Sequence, residues 1–162
     1  MWTIPDGTPN RDTLLNNADI IREVNPFWYT LAADGTIEGS ARDLDFFAEL
    51  SARGVRVLPT IGNAFARERV HHAIQTPEAR SAHVELLLNL VLENDFDGLD
   101  VDYESLYAED KEDFSLFIEA LGEAFHAHDK LLSIAVHPKQ DATGGWAGAR
   151  GAGLVHVWAR RW

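Results

Sequence analysis

The sequence predicts an α/β protein with a parallel sheet and flanking helices. Three observations point there. Strand-like and helix-like stretches alternate along the chain. Strands begin near residues 2, 25, 55, 98 and 131, intervals that leave room for a crossover between parallel neighbours. "LLSIAVHP" (131–138) is a nearly continuous apolar run, the pattern of a strand covered on both faces.

In chain order, "WTI" (2–4) is a short apolar strand closed by Pro5 and Gly7. "TLLNNADIIREV" (13–24) places Leu14, Ala18, Ile21 and Val24 at helical spacing, with Asp12 as the expected N-cap. "NPFWYTL" (25–31) is rich in strand formers and ends at the turn signal "DGT". "ARDLDFFAELSARG" (41–54) reads as an amphipathic helix stopped by Gly54. "VRVLPTI" (55–61) is a strand. "TPEARSAHVELLLNLVLEN" (76–94) opens with Thr76 as N-cap and Pro77 in the first helical position, then runs as a long helix. "GLDVDYE" (98–104) is a strand, "EDKEDFSLFIEALGEAFHAH" (109–128) a helix, and 131–138 the last strand. Such units suit an open doubly wound sheet or part of a (β/α)8 barrel. A complete barrel takes about 250 residues, and this chain has 162.

Composition narrows the partners. The chain is 46% hydrophobic and 25% charged, ordinary for a domain with a buried core. A formal charge of −12, from 26 acids against 14 bases, supplies no basic groove for a nucleic-acid backbone. With no cysteine there is no disulfide, thiolate metal site or Cys nucleophile. "MWTIPDGTPN" has neither the basic nor the apolar region of a signal peptide, and no apolar run approaches the roughly 20 residues of a membrane span. The expectation is a cytoplasmic chain without a membrane partner.

Chemistry concentrates in "FDGLDVDYES" (96–105). On a strand, side chains alternate faces. Leu99, Val101 and Tyr103 then point one way, and Asp100, Asp102 and Glu104 the other. Next-but-one Cα atoms lie roughly 6.6 Å apart. If the strand is central, three carboxylates share a confined face and at least one should hold its proton more tightly than usual. A carboxylic acid kept protonated beside ionised neighbours is what general-acid catalysis at an acetal oxygen requires. Two other readings stand beside it: a D-x-D-x-E cluster for Mg²⁺ or Ca²⁺, and a solvated face of an edge strand.

Asp97-Gly98-Leu99-Asp100-Val101-Asp102-Tyr103-Glu104 fits D-G-x-D-x-D-x-E throughout, and so resembles glycoside hydrolase family 18, the chitinases and related N-acetylglucosaminidases. "VRVLPTIGN" (55–63) resembles that family's third barrel strand, with Thr60-Ile61-Gly62-Asn63 where an S-x-G-G-like end is common. "VNPFWYTLAADGTI" (24–37) resembles the second strand and hairpin of the bacterial branch that includes spore-cortex and peptidoglycan enzymes. "LSIAVHPK" (132–139) is similar to the fifth strand. The likeness covers Trp2 to Lys139. It implies a partial (β/α)8 TIM barrel, about strands 1–5, over residues 1–143, followed by an irregular Gly/Ala-rich tail, 144–162.

The resemblance also implies a retaining, substrate-assisted hydrolysis of β-1,4-linked N-acetylglucosamine polymers, chitin or peptidoglycan. Glu104 would protonate the glycosidic oxygen. The substrate's 2-acetamido carbonyl would attack the anomeric carbon, in place of an enzyme nucleophile. Asp102 would orient the acetamide, and Asp100 would tune Asp102. Asp97 reads as structural, and Gly98 as permitting close backbone packing. Because sugars stack on aromatic faces, Trp2, Trp28 and Tyr29 are candidates for the pocket wall, one only of the adjacent pair facing inward. Asn63, at a strand's carboxyl end, is a candidate sugar contact. No cofactor or metal is implied; the seven histidines form no ligand pattern.

The pattern departs from the family at "LVHVWARRW" (154–162), which has Arg160 and Arg161 where a sixth-strand Tyr-Asp pair is expected. The reading is therefore a piece of a longer barrel, of reduced activity and open to self-association along an unclosed sheet edge. A remnant that binds N-acetylglucosamine glycans without cleaving them is the alternative, and a divalent-cation domain the third.

Overall fold

A computed structural model describes residues 2–3 and 8–136. The elements are β1 (Trp2–Thr3), α1 (Thr8–Asn16), β2 (Glu23–Leu31), β3 (Ile37–Gly39), α2 (Leu44–Ala52), β4 (Arg56–Val57), β5 (Thr60–Gly62), α3 (Arg67–Ile74), α4 (Pro77–Glu93), β6 (Gly98–Asp102), a 3-10 turn (Ala108–Asp110), α5 (Lys111–His126) and β7 (Leu131–Ile134). The sheet runs β1-β2-β5-β6-β7 with every neighbour parallel. β3 folds back antiparallel on Tyr29–Leu31, and β4 pairs the start of β2. This is the mixed α/β, mostly parallel architecture of a partial barrel.

β4 and β5 are two halves of one strand. They part at Leu58-Pro59, because Pro59 has no N–H to donate; its carbonyl still accepts from Asp100 N at 2.9 Å. The helices cover one face. Val24, Ile61, Leu99 and Val101 from the strands and Leu50, Val70, Leu87, Phe117 and Leu121 from the helices, each 0% exposed, belong to a single apolar core.

Three helices return to the sheet through the same device. A residue at positive φ follows each of α2, α4 and α5: Gly54 (83°), Asp95 (52°) and Asp129 (56°). The next amide then reaches five residues back, Val55 N to Leu50 O, Phe96 N to Val91 O and Lys130 N to Phe125 O, at 2.9–3.1 Å. These bonds satisfy carbonyls the helix end would leave bare.

The first helix differs from expectation. It spans Thr8–Asn16, so Asp12 is inside it, and Val24 belongs to β2. Ala18 and Val24 are both buried, but Ala18 lies in a turn at residues 17–20 rather than in the helix. Thr76 does cap α4, its Oγ1 accepting from Ala79 N at 3.1 Å, with Pro77 next. Among the described residues no helix is long and apolar enough to cross a membrane. The tail 144–162 and the last two residues of the run 131–138, His137 and Pro138, lie outside the described residues.

Candidate active site

All five residues of β6 are buried. Leu99 and Val101, 0% exposed, join the helix-side core, and so does Tyr103. Asp100 (2%) and Asp102 (9%) alternate with them onto the opposite, inner face. Asp100 and Asp102 are thus neither splayed into solvent nor divided between faces.

In-register neighbours in a parallel ladder share a face, so the register identifies the rest of this surface. Asp100 lies beside Thr60, and Thr60 beside Phe27; Asp102 lies beside Gly62. Thr60 Oγ1 donates to Asp100 Oδ2 at 2.9 Å and sits 3.5 Å from Asn25 O. Gly62 keeps the space next to Asp102 clear: a Cβ there would lie 3.6 Å from both Asp102 O and Phe27 Cε1.

Glu104, half-buried, follows the end of β6. There the β5–β6 ladder is continued by a side chain. Asn63 Oδ1 accepts from Glu104 N at 3.0 Å, and Asn63 Nδ2 donates to Glu104 O at 2.9 Å and to Ala66 O at 3.3 Å. At 1% exposure, Asn63 meets the backbone of Glu104 rather than a surface where a sugar could sit, which corrects the expectation of a sugar contact.

Further bonds fix the segment after Glu104. On the helix side Tyr103 Oη is 2.9 Å from His83 Nε2, and His83 stacks on Tyr103 and Phe117. Burial pushes the Tyr103 phenol up and lowers His83 to about 4, so the pair is neutral at pH 7. Beyond it, His71 Nδ1 meets Asp110 Oδ1 at 2.7 Å, and Tyr107 Oη donates to Glu68 Oε1 at 3.0 Å, tying residues 107–110 to α3.

Asp97 and Gly98 sit at the other end of the strand. Asp97 Oδ2 accepts from Val57 N at 2.8 Å, joining β4 to β6. A Cβ at Gly98 would come within 2.0 Å of Leu131 O, a backbone atom, so β7 approaches too closely for any side chain there.

The aromatic expectations need correction. Trp28 and Tyr29 are each 5% exposed and both lie in the helix-side core, Trp28 edge-on to Phe47 at 4.8 Å and Tyr29 6.3 Å from Phe96. The cause is a bulge: Phe27 pairs with Thr60 and Tyr29 with Ile61, so Trp28 is an extra residue and strict alternation fails. Neither ring lines the inner face. Phe27 does, at 37% exposure; the sequence reading assigned neither it nor Thr60 a role at the site. No local signal marked Phe27, because its place follows from its register with Thr60 on the neighbouring strand. Trp2 pairs with Asn25 through its backbone, and its side chain lies outside the described residues.

Among the described residues no group of three or more His, Cys, Asp or Glu side chains is arranged to hold a metal ion. The arrangement instead offers two buried aspartates and a half-buried glutamate in a row at the carboxyl end of a parallel sheet, the end at which barrel sites form.

Residues 15–153 match the family described as Glycosyl hydrolases family 18. Over 134 residues the chain is 28% identical to the "Putative sporulation-specific glycosylase YdhD" of Bacillus subtilis, covering 80% of this chain and 32% of that protein. A chitinase from Chromobacterium violaceum superposes with TM-score 0.70 at 26% identity, over 83% of this chain and 44% of that one. The spore cortex-lytic enzyme SleL of Bacillus megaterium superposes with TM-score 0.78 at 16% identity, over 96% of this chain and 37% of its own. The chain therefore spans about a third of the curated relative and less than half of either solved structure.

Proposed function

The chain belongs to glycosyl hydrolases family 18, and from that membership we propose that it carries the acid row of a glycosidase acting on β-1,4-linked N-acetylglucosamine polymers, chitin or peptidoglycan, by a retaining, substrate-assisted route. The observation that carries the reading is the shared inner face of Asp100 and Asp102, with Glu104 held at its open end. Relatives described as a chitinase and as a putative sporulation-specific glycosylase support this substrate class.

In this reading the Glu104 carboxyl gives its proton to the glycosidic oxygen as the C1–O bond breaks. The substrate's acetamide oxygen forms a bond to C1 from the opposite side, giving an oxazolinium ion. Asp102 accepts a hydrogen bond from the acetamide N–H and balances the positive charge that develops there. Asp100, with one oxygen committed to Thr60, supports Asp102 from behind. Water then attacks C1, the acetamide leaves, and the Glu104 carboxylate takes the water's proton, so the sugar keeps its β configuration. Phe27 supplies an apolar wall on the same face.

Hydrolysis of a chito-oligosaccharide, followed by chromatography of the products, tests the assignment. Glu104→Gln should lower kcat by about 10²- to 10⁴-fold, the usual contribution of a positioned general acid. Turnover by Glu104→Gln at the wild-type rate would refute it. Binding of the sugar by wild type with no turnover would favour the glycan-binding alternative.

A further inference from the structure

We infer that Asn63 is a positioning residue for Glu104: its side-chain amide takes the place of a neighbouring strand where β5 has ended, and sets the height of the proton donor against Asp102. The inference rests on the function proposed above and goes beyond it by assigning the role to a residue that touches no substrate.

Three observations carry it. First, β5 stops at Gly62, level with Asp102, so the backbone of Glu104 has no β5 residue in register beside it. Asn63 offers Glu104 both an acceptor and a donor, at 3.0 and 2.9 Å, the pairing a parallel strand would have offered. Second, the amide is fully committed. Its third bond, to Ala66 O, turns it across its own loop, and at 1% exposure it has no solvent alternative. Third, the loop that holds it is strained. Ala64 (φ 51°) and Phe65 (φ 59°) both occupy the left-handed region, and Ala66 N closes a turn on Asn63 O at 3.0 Å. Such a turn favours Asn-Gly at its centre, and non-glycine residues occupy it only against steric strain. Phe65 is left 68% exposed, so core packing does not explain the distortion. The bonds from Asn63 to Glu104 do: they reward the one turn geometry that aims the amide at β6.

The chain, with Asn63→Ala, Asn63→Asp and Ala64→Gly, tests this through two readouts. Exchange of the Glu104 backbone amide with solvent, followed by NMR, reads the clamp without any turnover. Asn63→Ala should speed that exchange at least tenfold relative to the amides of Leu99 and Val101. Asn63→Asp keeps the acceptor, so it should retain protection at Glu104 N while losing the bond to Glu104 O. Steady-state hydrolysis of a chito-oligosaccharide reads the consequence: both Asn63 variants should lose kcat, about 10²-fold for an ångström of misplacement, with KM changed less than threefold. Ala64→Gly relaxes the turn but keeps the amide, and should leave kcat and Glu104 exchange as in wild type. Should Asn63→Ala fail to fold, Asn63→Asp decides. Wild-type kcat in either Asn63 variant, or a rise in KM with kcat intact as for a lost sugar contact, overturns the inference. A wild-type chain without turnover but with Glu104 exchange controlled by Asn63 would overturn the functional reading and leave the clamp standing.

Discussion

Thr60 shows how much of this site is made by single, uncharged side chains. Its hydroxyl holds one oxygen of a carboxylate that is 2% exposed, and a buried acceptor deprived of such a donor costs about 1–3 kcal/mol. Thr60→Val removes that donor at nearly constant volume. Urea unfolding should show a loss of that size, with the midpoint moving and the slope unchanged. The sequence placed Thr60 in an S-x-G-G-like strand end but gave it no role, because that role exists only through the register with Asp100, 40 positions on. The shared face of Asp100 and Asp102 was legible for the opposite reason: alternation along one strand is a local property. Trp28 and Tyr29 mark the limit of that rule. Alternation allows just one of two adjacent residues inward, whereas the bulge sends both to the helices and leaves Phe27 on the inner face.

Between elements, His83 is the pin. It projects from α4, meets the Tyr103 hydroxyl just past β6 and stacks on Phe117 of α5, so three elements converge on one neutral ring. Burial lowers its folded value to about 4 from an ordinary 6.5. As pH falls, the unfolded chain takes up the proton first. The contribution of His83 is therefore complete above about pH 6.5 and is lost progressively down to about pH 4, by an amount on the order of 3 kcal/mol. His83→Gln, which can still exchange a hydrogen bond with Tyr103, should flatten the fall in melting temperature over that range. An identical pH dependence in both proteins would show that His83 is not the titrating group. The elements themselves were readable to different degrees. Thr76-Pro77 announces α4, and Gly54 ends α2, since both use residues specialised for those positions. Asp95 and Asp129 end α4 and α5 by the same backbone conformation with a residue less committed to it, so they carry no comparable signal. The first helix was misplaced because Leu14, Ala18, Ile21 and Val24 were read as one helical period, although Leu14 lies in the helix, Ala18 in the turn after it and Val24 in β2.

At the scale of the molecule, a parallel sheet with its helices on one face concentrates acids on the other, and short connections deliver their working ends to one rim. Strand spacing and the run from Asp97 to Glu104 made this much readable in advance. The completion of the ladder by Asn63 was not, since it joins residues 41 positions apart and substitutes a side chain for a strand. The central claim is that the substrate's own acetamide, held by Asp102, attacks while Glu104 gives and then recovers a proton. Proton NMR of the first product released from a chito-oligosaccharide, recorded before mutarotation, tests it most directly. The account predicts the β-anomer; the α-anomer appearing first would contradict it.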